Sequence, residues 1–360
     1  MALPYNPALD GLRALAVTAV VVQHAGFEEG GYFGVTVFFV ISGYLITSLL
    51  LAEHASTASI DVAAFYRRRV ARLAPALLLA AAAITIWLLA TSTPLAQWWA
   101  GLLGTLTYTT DVLLVTPVWP HVGTAFEWSW SLGIEEQFYL VWPILMIWML
   151  RRHNGRRWLA LVAAGVVVAA WIQRARLSTG HPTHARVNFA FDVHMDSIAL
   201  GAILALVLAG WPVVSRQLRA VAELLGIVAA VAVFAVIRQP WQTMKLTTYD
   251  LGGYGQVALL CLFVVAVAVI APTGGFARAL SLRPLVHVGK LSYGIYLWNQ
   301  LLALICLHMT GHLPARTGAG LLVWALVLLA VAQLSYRFVE NPLRTRWGQR
   351  RGRSLATVAG

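Results

Sequence analysis

The sequence predicts an all-α, polytopic membrane helix bundle of about ten transmembrane helices, with both termini cytoplasmic. Three observations lead there. Of the 360 residues, 59% are apolar and only 11% charged, with a mean hydropathy of +0.74, whereas a water-soluble domain carries about 25% charged residues. Apolar runs of spanning length, about 17–25 residues, recur from end to end. The basic residues that give the net charge of +12 fall in short clusters between those runs, as cytoplasmic loops require. That distribution speaks for a membrane surface and against nucleic acid as the partner.

In chain order the runs lie near 12–27, 34–52, 74–91, 131–150, 158–173, 194–211, 219–237, 254–271, 288–307 and 318–336. The first has no Lys or Arg before it and no small-residue cleavage site after it, so it reads as an uncleaved span. A further run, 98–115, is interrupted by Thr105, Thr107, Tyr108, Thr109, Thr110 and Asp111. It is expected to be re-entrant or interfacial, because non-spanning backbone sits at membrane depth only where protein or water covers it. With this run excluded, the loops and C-terminal tail on the cytoplasmic side hold 18 of the 26 Lys and Arg residues and the opposite loops hold 6. Counting it as a span would move Arg151, Arg152, Arg156 and Arg157 to the other side and remove the bias. Residues 1–343 read as one membrane domain and 344–360 as a basic cytoplasmic tail. Cys261 and Cys306 lie inside apolar runs and suggest neither a disulfide framework nor a metal site. Nothing in the sequence fixes an oligomeric state.

Ionisable groups within spans cost about 2.5–3.5 kcal/mol each on insertion scales, so each needs a reason. Arg13 and His24 are eleven positions apart, roughly 20° beyond three full turns, and share one helix face about 16 Å apart. They line a common cavity, or Arg13 reaches lipid phosphates while His24 makes one hydrogen bond in the bundle. Glu135 and Glu136 open the fourth run in WSWSLGIEEQFYLVWP, and adjacent helical positions diverge by about 100°, so one of them faces a given cavity. A His and a carboxylate in a half-dry cavity suffice for general-base chemistry on a hydroxyl. In AAFYRRRVARLAP, Arg68, Arg69 and Arg72 lie within a turn of one another, and their planar forks suit phosphate, of a ligand or of anionic lipid. Asp192, His194 and Asp196 alternate at the start of the sixth run, too few ligands for a metal. Ser292, Tyr293 and Asn299 enter the ninth, and Glu340 with Arg344 closes the last.

The segments LDGLRALAVTAVVVQH, GVTVFFVISGYLIT, FYRRRVARLAP, WSLGIEEQFYLVWP, GKLSYGIYLW and RFVENPLR follow one another in order. That succession resembles membrane acyltransferase family 3, the group that contains O-antigen, peptidoglycan and macrolide O-acyltransferases. The resemblance runs over nearly the whole chain. It implies acyl-CoA, most simply acetyl-CoA, as co-substrate without a metal, and a sugar- or macrolide-type hydroxyl as acceptor. It also implies that His24 is essential for transfer, with Arg13 as its family partner and Glu135 as the carboxylate of the Trp-Ser-Leu-x-x-Glu element. Arg69 and Arg72, with Arg68 beside them, match the Arg-x-x-Arg element implied in acyl-CoA binding. Ser131, His194, Asp196, Tyr293 and Asn299 are the candidate acceptor-binding set, and the length corresponds to the form without a C-terminal hydrolase-like domain. Four positions depart from the pattern. Thr36 replaces an Asp, Trp128 a His, His194 an Arg and Asn299 a His. Direct transfer and a covalent acyl-His intermediate both fit these residues. A transporter using Arg13, His24 and Glu135 as a proton or substrate pathway is the rival reading, although the two halves show no internal echo of the kind such folds carry.

Overall fold

The computed structural model describes residues 4–27, 30–179, 184–211, 215–239, 253–314 and 318–343; the basic tail 344–360 lies outside them. Among the described residues there are helices and no strand. In order they are α1 (Pro7–His24), α2 (Phe33–Thr57), α3 (Val62–Ala90), α4 (Trp99–Thr107) and α5 (Thr110–Leu114). Then come α6 (Thr124–Glu127), α7 (Trp130–Leu150), α8 (Gly155–Thr179), α9 (His184–Phe189) and α10 (Phe191–Leu208). The chain continues through α11 (Arg216–Ile237), α12 (Gly253–Ile270), α13 (Gly275–Leu280), α14 (Arg283–Thr310) and α15 (Gly318–Ser335). Local chemistry sets several starts. Asn6 accepts from the Ala8 amide at 3.0 Å with Pro7 following, Asp61 accepts from Ala64 at 2.8 Å, and Ser215 from Leu218 at 3.2 Å. Each satisfies an amide that a helix N-terminus leaves over.

Every predicted run falls on one long helix. Among the described residues, seven helices, α2, α3, α8, α10, α11, α12 and α15, are long and apolar enough to cross a membrane. The protein is therefore a multi-pass membrane protein. The three long helices outside that group are α1, α7 and α14, whose apolar stretches are diluted by Arg13 and His24, by Glu135, Glu136 and Gln137, and by Lys290, Asn299 and Gln300. Exposed Ile86, Leu89, Val231, Phe234 and Leu326 form apolar faces of a kind that soluble monomers cover. Here lipid covers them.

The chain divides into two compact units, Met1–Ile60 with Leu95–Lys290, and Asp61–Pro94 with Leu291–Gly360. In the first, α10 is central, with 61% of its apolar window buried, while α11 is peripheral at 11%. The α2–α10 crossing brings backbone against backbone. A Cβ on Gly43 would lie 1.9 Å from the Ile198 carbonyl oxygen, and one on Gly201 would lie 2.0 Å from that of Val40. Close approach through small residues is the usual way helices associate where no hydrophobic drive separates them from lipid.

The interrupted run near 98–115 is two short helices, α4 and α5, of nine and five residues. At 1.5 Å per residue neither can cross a core of about 30 Å. The break is at Tyr108, whose φ of 57° is left-handed. Ser129 meets Thr105 at 2.8 Å and Thr110 at 2.7 Å, hydroxyl to hydroxyl. Gln137 donates to both Asp111 oxygens at 2.9 and 3.0 Å. The approach needs Gly133, where a Cβ would stand 2.4 Å from Asp111 Oδ1. The segment is thus fastened to the first turns of α7.

In the second unit, the Tyr293 hydroxyl donates to the Leu73 carbonyl at 2.9 Å, and the Trp87 and His308 rings meet edge to face at 5.3 Å. α15 ends in a π-turn, Tyr336–Glu340. There the buried Glu340 accepts from Ser335 at 3.4 Å. Such single-turn widenings are often found at functional positions.

Gly201→Ala should destabilise the protein by about 1–3 kcal/mol, the usual cost of overpacking. Thermal unfolding in detergent reads it. An unchanged midpoint would mean that the α2–α10 crossing is not the tight contact described.

Candidate active site

Within the first unit, α1 carries Arg13 near one end and His24 as its last residue. Arg13 pairs with Asp10 one turn earlier at 3.0 Å, and Asp10 also accepts from the Tyr5 hydroxyl at 2.6 Å. The guanidinium is thus held by its own helix, its side chain 17% exposed. Glu135 accepts from Ser42 of α2 at 2.9 Å, one residue from Gly43, so the tight crossing fixes the donor that holds this carboxylate. Ser131, a turn earlier on α7, is buried beside Ser129.

His194 and Asp196 begin α10 and are both buried. The carboxylate of Asp196 is fully engaged. Arg174 of α8 reaches Oδ1 at 2.6 Å, the Trp171 indole donates to Oδ2 at 3.0 Å, and the Ser197 amide donates to Oδ1 at 2.8 Å. Arg174 also donates to the Val193 carbonyl. The His194 ring packs against Trp130 at 5.1 Å and Tyr254 at 5.2 Å, with Nε2 2.8 Å from the Asn188 carbonyl. Where the sequence pattern leads one to expect an Arg at position 194, the guanidinium for Asp196 comes instead from α8. The other departing positions are buried. Thr36 and Trp128 are buried, the Trp128 indole donating to Ala125 at 2.8 Å, and Asn299 is fully buried.

In the second unit, α3 carries the arginines. Arg68 and Arg72 are exposed one turn apart, while Arg69 is half-buried with its guanidinium 6.0 Å from the Phe65 ring centre. Tyr293 is bonded one residue beyond Arg72, at Leu73. Among the described residues, no group of three or more His, Cys, Asp and Glu is gathered for a metal.

Inspection of the sequence did not single out Arg174, Trp171, Ser42 or Gln137. Arg174 had one available signal: Asp196 inside an apolar run requires a buried cation, and α8 supplies one.

A model of the acyltransferase domain matches residues 6–336. The chain belongs to this acyltransferase family. O-acetyltransferase OatA of Staphylococcus aureus (strain NCTC 8325 / PS 47) is 31% identical over 366 residues, covering 95% of this chain and 58% of that protein. The putative O-acetyltransferase SAS0844 of strain MSSA476 is 30% identical, covering 94% of this chain and 57% of its own length. The chain therefore spans somewhat under two thirds of these relatives. No solved structure matches it. The matched region contains every candidate residue named above.

Burial raises the carboxyl of Asp111 from its ordinary 3.8 to about 6, against the opposing hydrogen bond from Gln137. A raised folded value means that the stabilisation is complete below the ordinary value and is lost as pH rises through about 6. Between pH 5 and 7.5 the intact protein should therefore lose more thermal stability than Asp111→Asn, which cannot ionise. Equal losses in the two proteins, followed by melting in detergent, would count against this coupling.

Proposed function

We propose that the chain is an integral membrane O-acyltransferase that moves an acetyl group from acetyl-CoA to a hydroxyl of a sugar-containing acceptor, an envelope glycan or a macrolide-like metabolite. The observation that carries this reading is the alignment of 95% of the chain with proteins named O-acetyltransferases, together with a family match over residues 6–336 that includes Arg13, His24 and Glu135. In support, the three long helices outside the seven most apolar ones carry Arg13, His24, Glu135, Ser131, Tyr293 and Asn299. Ten spans with both termini cytoplasmic, the arrangement favoured by the arginine bias, would put His24 in the outward half of α1.

Arg69 and Arg72, with Arg68, are assigned to the phosphates of CoA, for which planar guanidinium forks are suited. Arg13, kept in place by Asp10, is assigned to the donor's pantetheine arm. His24 takes the proton of the acceptor hydroxyl as its oxygen attacks the thioester carbonyl carbon. A C–O ester bond forms, the C–S bond breaks, and the CoA thiolate receives the proton. Glu135, held by Ser42, favours the charged imidazolium that exists between those two proton transfers. Ser131, His194, Asp196, Tyr293 and Asn299 are assigned to the acceptor's surroundings.

His24→Ala should reduce acceptor-dependent CoA release by about 10²–10⁴-fold, the usual contribution of a general base, with the thermal midpoint unchanged. Turnover retained at the intact level would sink the assignment. Arg69→Ala and Arg72→Ala should each raise the KM for acetyl-CoA about tenfold or more, as loss of a charge-assisted hydrogen bond does. Saturable uptake of a solute without CoA release would instead favour a transporter.

A further inference from the structure

Arg174 has five N–H donors, of which those on Nη2 serve Asp196 and Val193. Its Nε and Nη1 are buried and make no hydrogen bond, although the residue is only 6% exposed. Buried guanidinium donors are ordinarily satisfied, so these call for acceptor oxygens from outside the fold. Their charge is already balanced by Asp196, which favours a neutral, oxygen-rich ligand over an anion.

The surroundings narrow the class. Trp171, 38% exposed, forms the accessible side of the cluster while its indole anchors to Asp196. Tyr254 lies on the other side, with the Arg174 guanidinium 5.8 Å from its ring centre and its hydroxyl bonded to Asn188 at 2.9 Å. Aromatic faces beside a fork of donors suit a ring that has an apolar face and a polar edge. Tyr254 also meets Tyr32 at 5.9 Å and Phe33 at 5.7 Å, which begin α2 immediately after the turn that follows His24. Gln23, the neighbour of His24, has a buried Oε1 that accepts no hydrogen bond. Unused donors on Arg174 and an unused acceptor on Gln23 thus sit at the same end of the first unit.

We infer that the Arg174 cluster is the seat of the acceptor. Nε and Nη1 of Arg174 donate to ring or carbonyl oxygens of a neutral sugar ring lying along Trp171, and Gln23 accepts from one of its hydroxyls. Asp196 is then a positioning residue that aims Arg174. The inference rests on the acyl-transfer reading above for the role of the ligand, though not for its binding.

The test pairs kinetics with equilibrium binding, using the purified full chain in detergent. The probes are chitotetraose and methyl glucoside, with glycerol as the ringless control. Arg174→Lys keeps a cation for Asp196 and deletes the Nε and Nη1 donors. It should weaken sugar binding, and raise the acceptor KM, about tenfold or more, while the Kd for acetyl-CoA stays the same. Gln23→Ala, which leaves the ion pair alone, should weaken the same binding and serves if Arg174→Lys lowers the thermal midpoint. Sugar binding by the intact protein that depends on Arg174 without any acetyl transfer would retain the seat and remove the acyl-transfer reading. Transfer with an acceptor KM unchanged in both variants would retain that reading and overturn the seat. Failure of either sugar to bind above the glycerol control would also overturn it.

Discussion

The contact on which the rest of the first unit depends is the passage of α2 across α10 with no side chain between them. Gly43 and Gly201 each leave room for a carbonyl of the other helix, and lipid offers no hydrophobic drive to hold a looser pair together. Ser42, adjacent to Gly43, reaches Glu135. Ile198, whose carbonyl faces Gly43, lies half a turn from Asp196. Displacement of this crossing would move the carboxylate on α7 and the Arg174–Asp196 pair between α8 and α10 together.

A second constraint is that charge in a dry interior must be matched locally. The first unit meets it in two ways. Asp10 and Arg13 pair within one helix, which fixes the arginine's direction whatever the neighbours do. Asp196 and Arg174 pair across two helices, which ties α8 to α10 and leaves part of the guanidinium over. The first arrangement consumes the acid chiefly for orientation. The second leaves Nε and Nη1 of Arg174 buried without a partner in the protein.

The long helices were legible because runs of about 20 apolar residues admit few other readings. Each predicted run lies on one helix, and among the described residues seven of these helices are long and apolar enough to cross a membrane. The run near 98–115 was legible as an exception because its threonines and Asp111 interrupt the apolar stretch. Its fastening was not, since Ser129 and Gln137 look like ordinary members of a motif until α5 is seen against Gly133. Arg13 and His24 stood out as polar residues within an apolar run, and Glu135 with Glu136 at the start of another. Arg174 did not, because a cation near a span end is what lipid headgroups already explain; only its distance to Asp196 gives it a different meaning. The pairing joins residues 22 positions apart on two different helices, and sequence spacing does not encode it.

The fastening of α4 and α5 also bears on how the protein is made. The groups that receive Thr105, Thr110 and Asp111 are Ser129 and Gln137, and Gln137 follows Asp111 by 26 residues. During synthesis the short segment leaves the ribosome before the partners that satisfy its polar groups have emerged. Lipid cannot accept those groups alone, so the segment stays at a wet boundary until the start of α7 arrives. Membrane integration of this stretch is therefore ordered by the chain itself, with the later helix acting as the template on which the earlier one settles.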